Sequence, residues 1–226
     1  MPLIASGSAG RHRYGIVLVL AIAMVVFLIV APDRTGSRVV GLALAGSMLL
    51  VVVVTSRSAD RALRASGAAI VLFVTVALAI TVLTGSLPKW TASATAGLLV
   101  ILTLVQLVRG LVRLMRTRGV TIQALAGALS VYLLLGLLFA LAVGVAAKLG
   151  HGAYFAQGTD GNQSQHVYFS FTTMTTTGYG DLSPATRGGR ALAVLEMLLG
   201  QIYLVTVISL LVGNLRRRGE PAEPAG

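Results

Sequence analysis

Long stretches without charge set the limits on what this chain can become. Tyr14 to Ala31, Val39 to Ser56, Ala65 to Leu87, Thr91 to Val108 and Gly119 to Ala147 contain no Asp, Glu, Lys or Arg, and Ala191 to Leu215 contains only Glu196. A helix needs about 20 residues to cross the hydrocarbon of a bilayer. Inside lipid each backbone must satisfy its own hydrogen bonds, so apolar runs of this length are expected to be helices. The expected fold is an all-α integral membrane protein with six transmembrane helices.

Composition agrees. Charged residues make up 11% of the 226 and apolar ones 56%, whereas a soluble domain carries about 25% charge. Eighteen Lys and Arg stand against seven Asp and Glu, a net charge of +11. Such a balance fits nucleic acid or an anionic membrane, but the arginines lie between apolar runs and form no separate basic domain. They are read as topology-setting charge, with membrane lipids as partners and no nucleic acid. The absence of cysteine excludes disulfides, thiolate metal sites and cysteine nucleophiles. No nucleophile constellation, metal-ligand cluster or phosphate loop points to an enzyme.

The arginines also orient the chain. Arg11 and Arg13 precede the first run; Arg57, Arg61 and Arg64 follow the second; Arg109, Arg113, Arg116 and Arg118 follow the fourth; Arg216, Arg217 and Arg218 follow the sixth. The alternate loops are poorer in positive charge. The positive-inside rule therefore places both termini in the cytoplasm and the protein in the cell membrane, with an even number of spans. The first run lacks a small-residue cleavage site before Pro32 and is expected to be retained as an anchor.

The loop from about Lys148 to Arg190 holds a segment, Val167 to Thr177, too short to span and rich in aromatic residues and threonine. It is expected to re-enter the membrane, where irregular backbone is tolerated only if protein buries it or it lines a water-filled path. The expected organisation is a four-helix N-terminal membrane domain over 1–118, a pore domain over 119–218 and a short disordered tail over 219–226. With so short a tail, gating by a soluble regulatory domain after the pore is not expected.

The run Thr172-Thr173-Met174-Thr175-Thr176-Thr177-Gly178-Tyr179-Gly180-Asp181 resembles the signature of potassium channels, in which a pore helix ends in Thr-Val-Gly-Tyr-Gly. Its flanks resemble them too: Tyr168-Phe169-Ser170 before the threonines, Leu182-Ser183-Pro184 after the filter, and the inner-helix run Leu195 to Tyr203. The specific likeness extends from Ala124 to Leu215. It implies that backbone carbonyls of Thr176, Thr177, Gly178 and Tyr179 replace the hydration shell of K+, with the Thr176 hydroxyl as the innermost ligand. Glycine at 178 and 180 relaxes the limits on backbone angles. The resemblance further implies that Tyr179 packs behind the filter, that Gly180 and Asp181 close its outer end, and that Phe169 and Thr172 support it. One loop supplies a quarter of a ring, so a homotetramer is implied. No cofactor is implied; K+ is the permeant ion.

Two positions depart from the family pattern. Thr177 replaces the common valine, and Thr172 stands where some members carry a glutamate that pairs with the aspartate after the filter. A less selective cation channel and a potassium transporter subunit are the alternatives. Glu196 could brace the rear of the pore helix or attract cations near the cavity. Gly200, mid-helix, suggests either a gating hinge or close helix packing. Arg109, Arg113 and Arg116 share a helical face, as in a voltage sensor, but the first four runs contain no acidic residue to receive them, so they are read as membrane anchors. His151 and His166 lie near the mouth, and Asn162-Gln163-Ser164 fits a glycosylation pattern.

Overall fold

The computed structural model describes residues 13–32, 34–55 and 89–219, together with Ala69 and Phe73. The third apolar run, Ala65 to Leu87, otherwise lies outside the described residues, as do 220–226 of the tail. Among the described residues the chain is helical apart from turns and one isolated bridge between Phe155 and Pro184.

Two helices, α1 (Arg13–Val30) and α2 (Thr35–Thr55), form an antiparallel pair. Next come α3 (Lys89–Arg118) and α4 (Ile122–Leu149). Residues 119–121 alone join them, which forces them to run antiparallel side by side. Gly119 takes φ 65, the left-handed conformation common just past a helix end, and its N–H caps Met115 O at 2.9 Å. Thr121 then caps α4 by accepting from Ala124 N at 3.2 Å. α3 extends through the arginine stretch, so Arg109, Arg113 and Arg116 are helical and exposed.

The short helix α5 (Gln163–Met174) follows an irregular loop. Its 12 residues span about 18 Å, too little to cross hydrocarbon. The chain then enters α6 (Arg187–Ile202), a π-helical segment (Tyr203–Ile208) and α7 (Ser209–Gly219), which together form one helical rod.

Among the described residues, three helices are long and apolar enough to cross a membrane: Thr95–Thr117, Ile122–Leu149 and the rod over Arg187–Asn214. The apolar parts of α1 and α2, Tyr14–Val30 and Val39–Val53, are shorter. α4 is the hub, packing on α1, α3, α5, α6 and the π segment. Its core contacts include Val131, Leu134, Leu137 and Ala140, which meet Val17, Ala21 and Met24 of α1 and Leu99 and Leu107 of α3. The N-terminal helices thus sit directly on α4, and α1 also reaches α5, where Ser164 Oγ donates to Ile29 O at 2.6 Å.

Candidate functional site

α5 begins with a reciprocal cap. Asn162 Oδ1 accepts from Gln165 N, and Gln165 Oε1 accepts from Asn162 N, both at 2.9 Å. Asn162, part of the glycosylation pattern, thereby commits its side chain to starting the helix. This start lies four residues ahead of the expected Val167.

The C-terminal end of α5 organises the chain that follows. Thr176 N donates to Thr173 O at 2.9 Å, while Thr177 N and Gly178 N donate to Thr172 O at 2.9 and 3.1 Å. In a planar trans peptide the C=O points opposite to the N–H. The carbonyls of Thr175, Thr176 and Thr177 share peptide planes with those donors, so they face away from α5. Backbone hand alternates along the same stretch: φ is +59 at Thr176, +51 at Gly178 and +82 at Gly180, and is not positive at Thr177 or Tyr179. Alternating hand makes successive N–H groups converge on one side, and it leaves the carbonyls to converge on the other. Glycine meets that demand without strain at 178 and 180, whereas Thr176 takes a left-handed conformation costly for a β-branched residue.

The side chains tie this strand back to its support. Thr177 Oγ1 is 2.9 Å from Thr175 Oγ1, which also donates to Phe171 O at 2.7 Å. The hydroxyl that replaces valine is thus anchored to the helix end. Tyr179 stacks on Tyr168 of α5 with ring centroids 6.4 Å apart and planes 4° from parallel, although it is 71% exposed in the protomer. The Tyr168 hydroxyl lies within electrostatic reach of Asp181. Asp181 Oδ1 accepts from Leu182 N at 3.1 Å. Thr172 contributes its carbonyl, and its hydroxyl donates to Phe169 O at 3.0 Å. Phe169 is buried against Phe155 and Tyr154 of the outer loop. That loop is pinned to the segment beyond Asp181 by Ala156 N to Ser183 O and Ala185 N to Tyr154 O, both 2.8 Å.

α4 and α6 grip the end of α5 from two sides. A Cβ on Gly136 would lie 2.8 Å from Met174 Cε and from Phe171 Cζ; a Cβ on Gly200 would lie 2.5 Å from Met174 O and 2.7 Å from its Cγ. Met174 is 1% exposed in the slot between them. Close packing therefore accounts for glycine at 200. The change of helical register falls beyond it, in Tyr203–Ile208, where Thr206 Oγ1 bonds to Ile202 O. Glu196 is 0% exposed and meets the Ser170 hydroxyl of α5, so it braces the rear of that helix and does not line a cavity. One turn past Gly200, Tyr203 donates to Ala128 O at 2.7 Å and stacks on Tyr132.

Sequence reasoning missed Gly136 and also Gln201. The Gln201 side chain donates to Thr176 Oγ1 at 3.0 Å and so reaches the innermost position of the proposed ion path. Of the two histidines near the mouth, His151 is exposed. The His166 ring lies 2.7 Å from Asp160 O and packs against Gly144. Burial chiefly lowers its pKa below 6.5; Lys148 works the same way, while Asp160 opposes the shift.

Residues 127–217 match a family model described as an ion channel. That segment, from α4 to α7 with α5 and the glycine-rich strand at its centre, is similar to an ion channel domain, in accord with the potassium-channel likeness of its sequence. No solved structure matches the chain.

Proposed function

We propose that this chain is one subunit of a homotetrameric potassium-selective channel that conducts K+ passively across the cell membrane, with six spans and both termini in the cytoplasm. The observation that carries the reading is the run of peptide planes after α5. Their N–H groups are spent on Thr172 and Thr173, and their carbonyls are left facing outward with alternating hand. Such a strand has no internal use for those oxygens. Four copies around an axis would turn them into rings that replace the water of a dehydrated cation. α5 would aim its partially negative C-terminus at the same path, which favours cations.

The protomer's surface supports assembly. Leu195, Leu198, Leu199, Ile202, Val205 and Leu210 along the α6–α7 rod are exposed, an apolar surface suited to lipid and to neighbouring subunits. The N-terminal helices then act as membrane anchors and packing elements, without the acidic partners a voltage sensor needs.

A cation channel of lower selectivity is the second reading, favoured by Thr177 in place of valine. The test is K+ flux into vesicles holding the purified protein, set beside the mass of the particle. A tetramer that passes K+ and loses flux in Gly178→Ala, whose Cβ would be forced into φ +51, supports the proposal. A monomer, or flux untouched by Gly178→Ala, refutes it.

A further inference from the structure

Ser170 sits on the buried face of α5, where one hydroxyl serves two partners. Its oxygen is 2.7 Å from Gly136 O of α4 and in short contact with Glu196 Oε1 of α6. A hydroxyl carries a single proton, and a carbonyl can only accept. If Ser170 donates to Gly136, the contact with Glu196 is a hydrogen bond only when the proton comes from Glu196. An ionised Glu196 would leave two acceptors competing for one proton. It would also leave a fully buried charge without a cation, since its Oε2 has no hydrogen-bond partner, the costly arrangement for a carboxylate.

Among the described residues, the surroundings offer no counter-charge. α4 brings Tyr132 and the outer loop brings Tyr154, both neutral donors. On α5, the His166 ring is engaged with Asp160 O and Tyr168 stacks on Tyr179. Lys148 lies at the C-terminal end of α4. On α6 itself, Arg187 and Arg190 belong to the first turn, and Arg190 Nε donates to Pro184 O. Beyond α6, Tyr203 bonds to Ala128 O.

We propose that Glu196 is a neutral carboxylic acid that donates its proton to Ser170, and that the relay Glu196 to Ser170 to Gly136 is a positioning clasp fixing α4 and α6 to the rear of the filter-bearing helix. Ser170 is two residues before Thr172, whose carbonyl holds Thr177 and Gly178. One turn further along both helices, Gly200 packs on Met174. The clasp and the glycine slot therefore form one continuous seam, and loosening the first lets the end of α5 shift under the filter. This inference rests on residues 176–179 being the filter.

The test uses the full-length protein in vesicles, with infrared spectra and K+ flux read on the same samples. At neutral pH the wild type shows the C=O stretch of a protonated carboxylic acid, and Glu196→Gln removes it. Ser170→Ala and Glu196→Leu each lower K+ flux roughly tenfold, the scale of one lost hydrogen bond to a buried group. Ser170→Thr and Glu196→Gln, which restore a donor, recover it. A wild type without the acid band, a band that survives in Glu196→Gln, or Ser170→Ala with unchanged flux overturns the clasp. An acid band in a wild type that passes no K+ sinks the filter reading and leaves the proton assignment standing.

Discussion

Gly200→Ala would force a side chain into the closest of the glycine sites among the described residues. The new Cβ would lie 2.5 Å from Met174 O, 2.7 Å from Met174 Cγ and 3.3 Å from Met174 C. An ordinary C···O contact begins near about 3.3 Å, so the Met174 carbonyl must retreat by roughly 0.8 Å. Met174 has little room to move, because it is 1% exposed in the slot between α4 and α6. Alanine gains about 1 kcal/mol over glycine inside a helix, while overpacking costs ~1–3 kcal/mol. The obstacle is backbone, so the upper half of that range applies, and the net loss is roughly 1–2 kcal/mol per subunit. The displaced carbonyl is two residues from Thr176, so the shift also reaches the filter. Thermal unfolding in detergent and K+ over Na+ selectivity in bilayers should both fall. If Gly200 served only to let the helix bend, alanine would stiffen and stabilise α6 and leave selectivity alone. A variant more stable than wild type with unaltered selectivity refutes the packing argument.

Other perturbations follow from the same geometry. Thr177→Val removes the bond to Thr175 but not the carbonyl, and Thr175 keeps Phe171 O as its acceptor. We expect a loss of about 1 kcal/mol in stability, a changed rate of current decay at constant voltage and an unchanged reversal potential. Burial lowers the folded pKa of His166 below 6.5. The unfolded chain then binds more protons as pH falls past that value, and stability declines from about pH 7 to about pH 5. His166→Gln should flatten that slope in thermal unfolding measured across the range.

How far the sequence could be read depended on the distance between partners. Runs of uncharged residues announced α1, α2, α3, α4 and the α6–α7 rod. Gly178 and Gly180 stand where φ is positive, as expected for a strand with aligned carbonyls. The start of α5 is also written in the chain, as Asn162 with Gln165 three residues on, but the same asparagine fits a glycosylation pattern, so the local sequence alone leaves both uses open. Thr176 gave no warning of its left-handed backbone, because threonine ordinarily avoids it. Contacts between distant residues were invisible to periodicity: Ser170 with Gly136 and Glu196, Gln201 with Thr176, and the slot around Met174. Glu196 could be singled out as the lone charge in its run, but only packing shows that it faces α5. Gly200 invited a hinge because hinges and close contacts both favour glycine; the position of Met174 supplies the contact.

The measurement closest to the core of this account is the reversal potential of the reconstituted channel with K+ on one side of a planar bilayer and Na+ on the other. The account predicts a potential far toward that of K+ in the wild type, lost together with the current in Gly178→Ala. A reversal potential near zero, with Na+ carried as readily as K+, would contradict it.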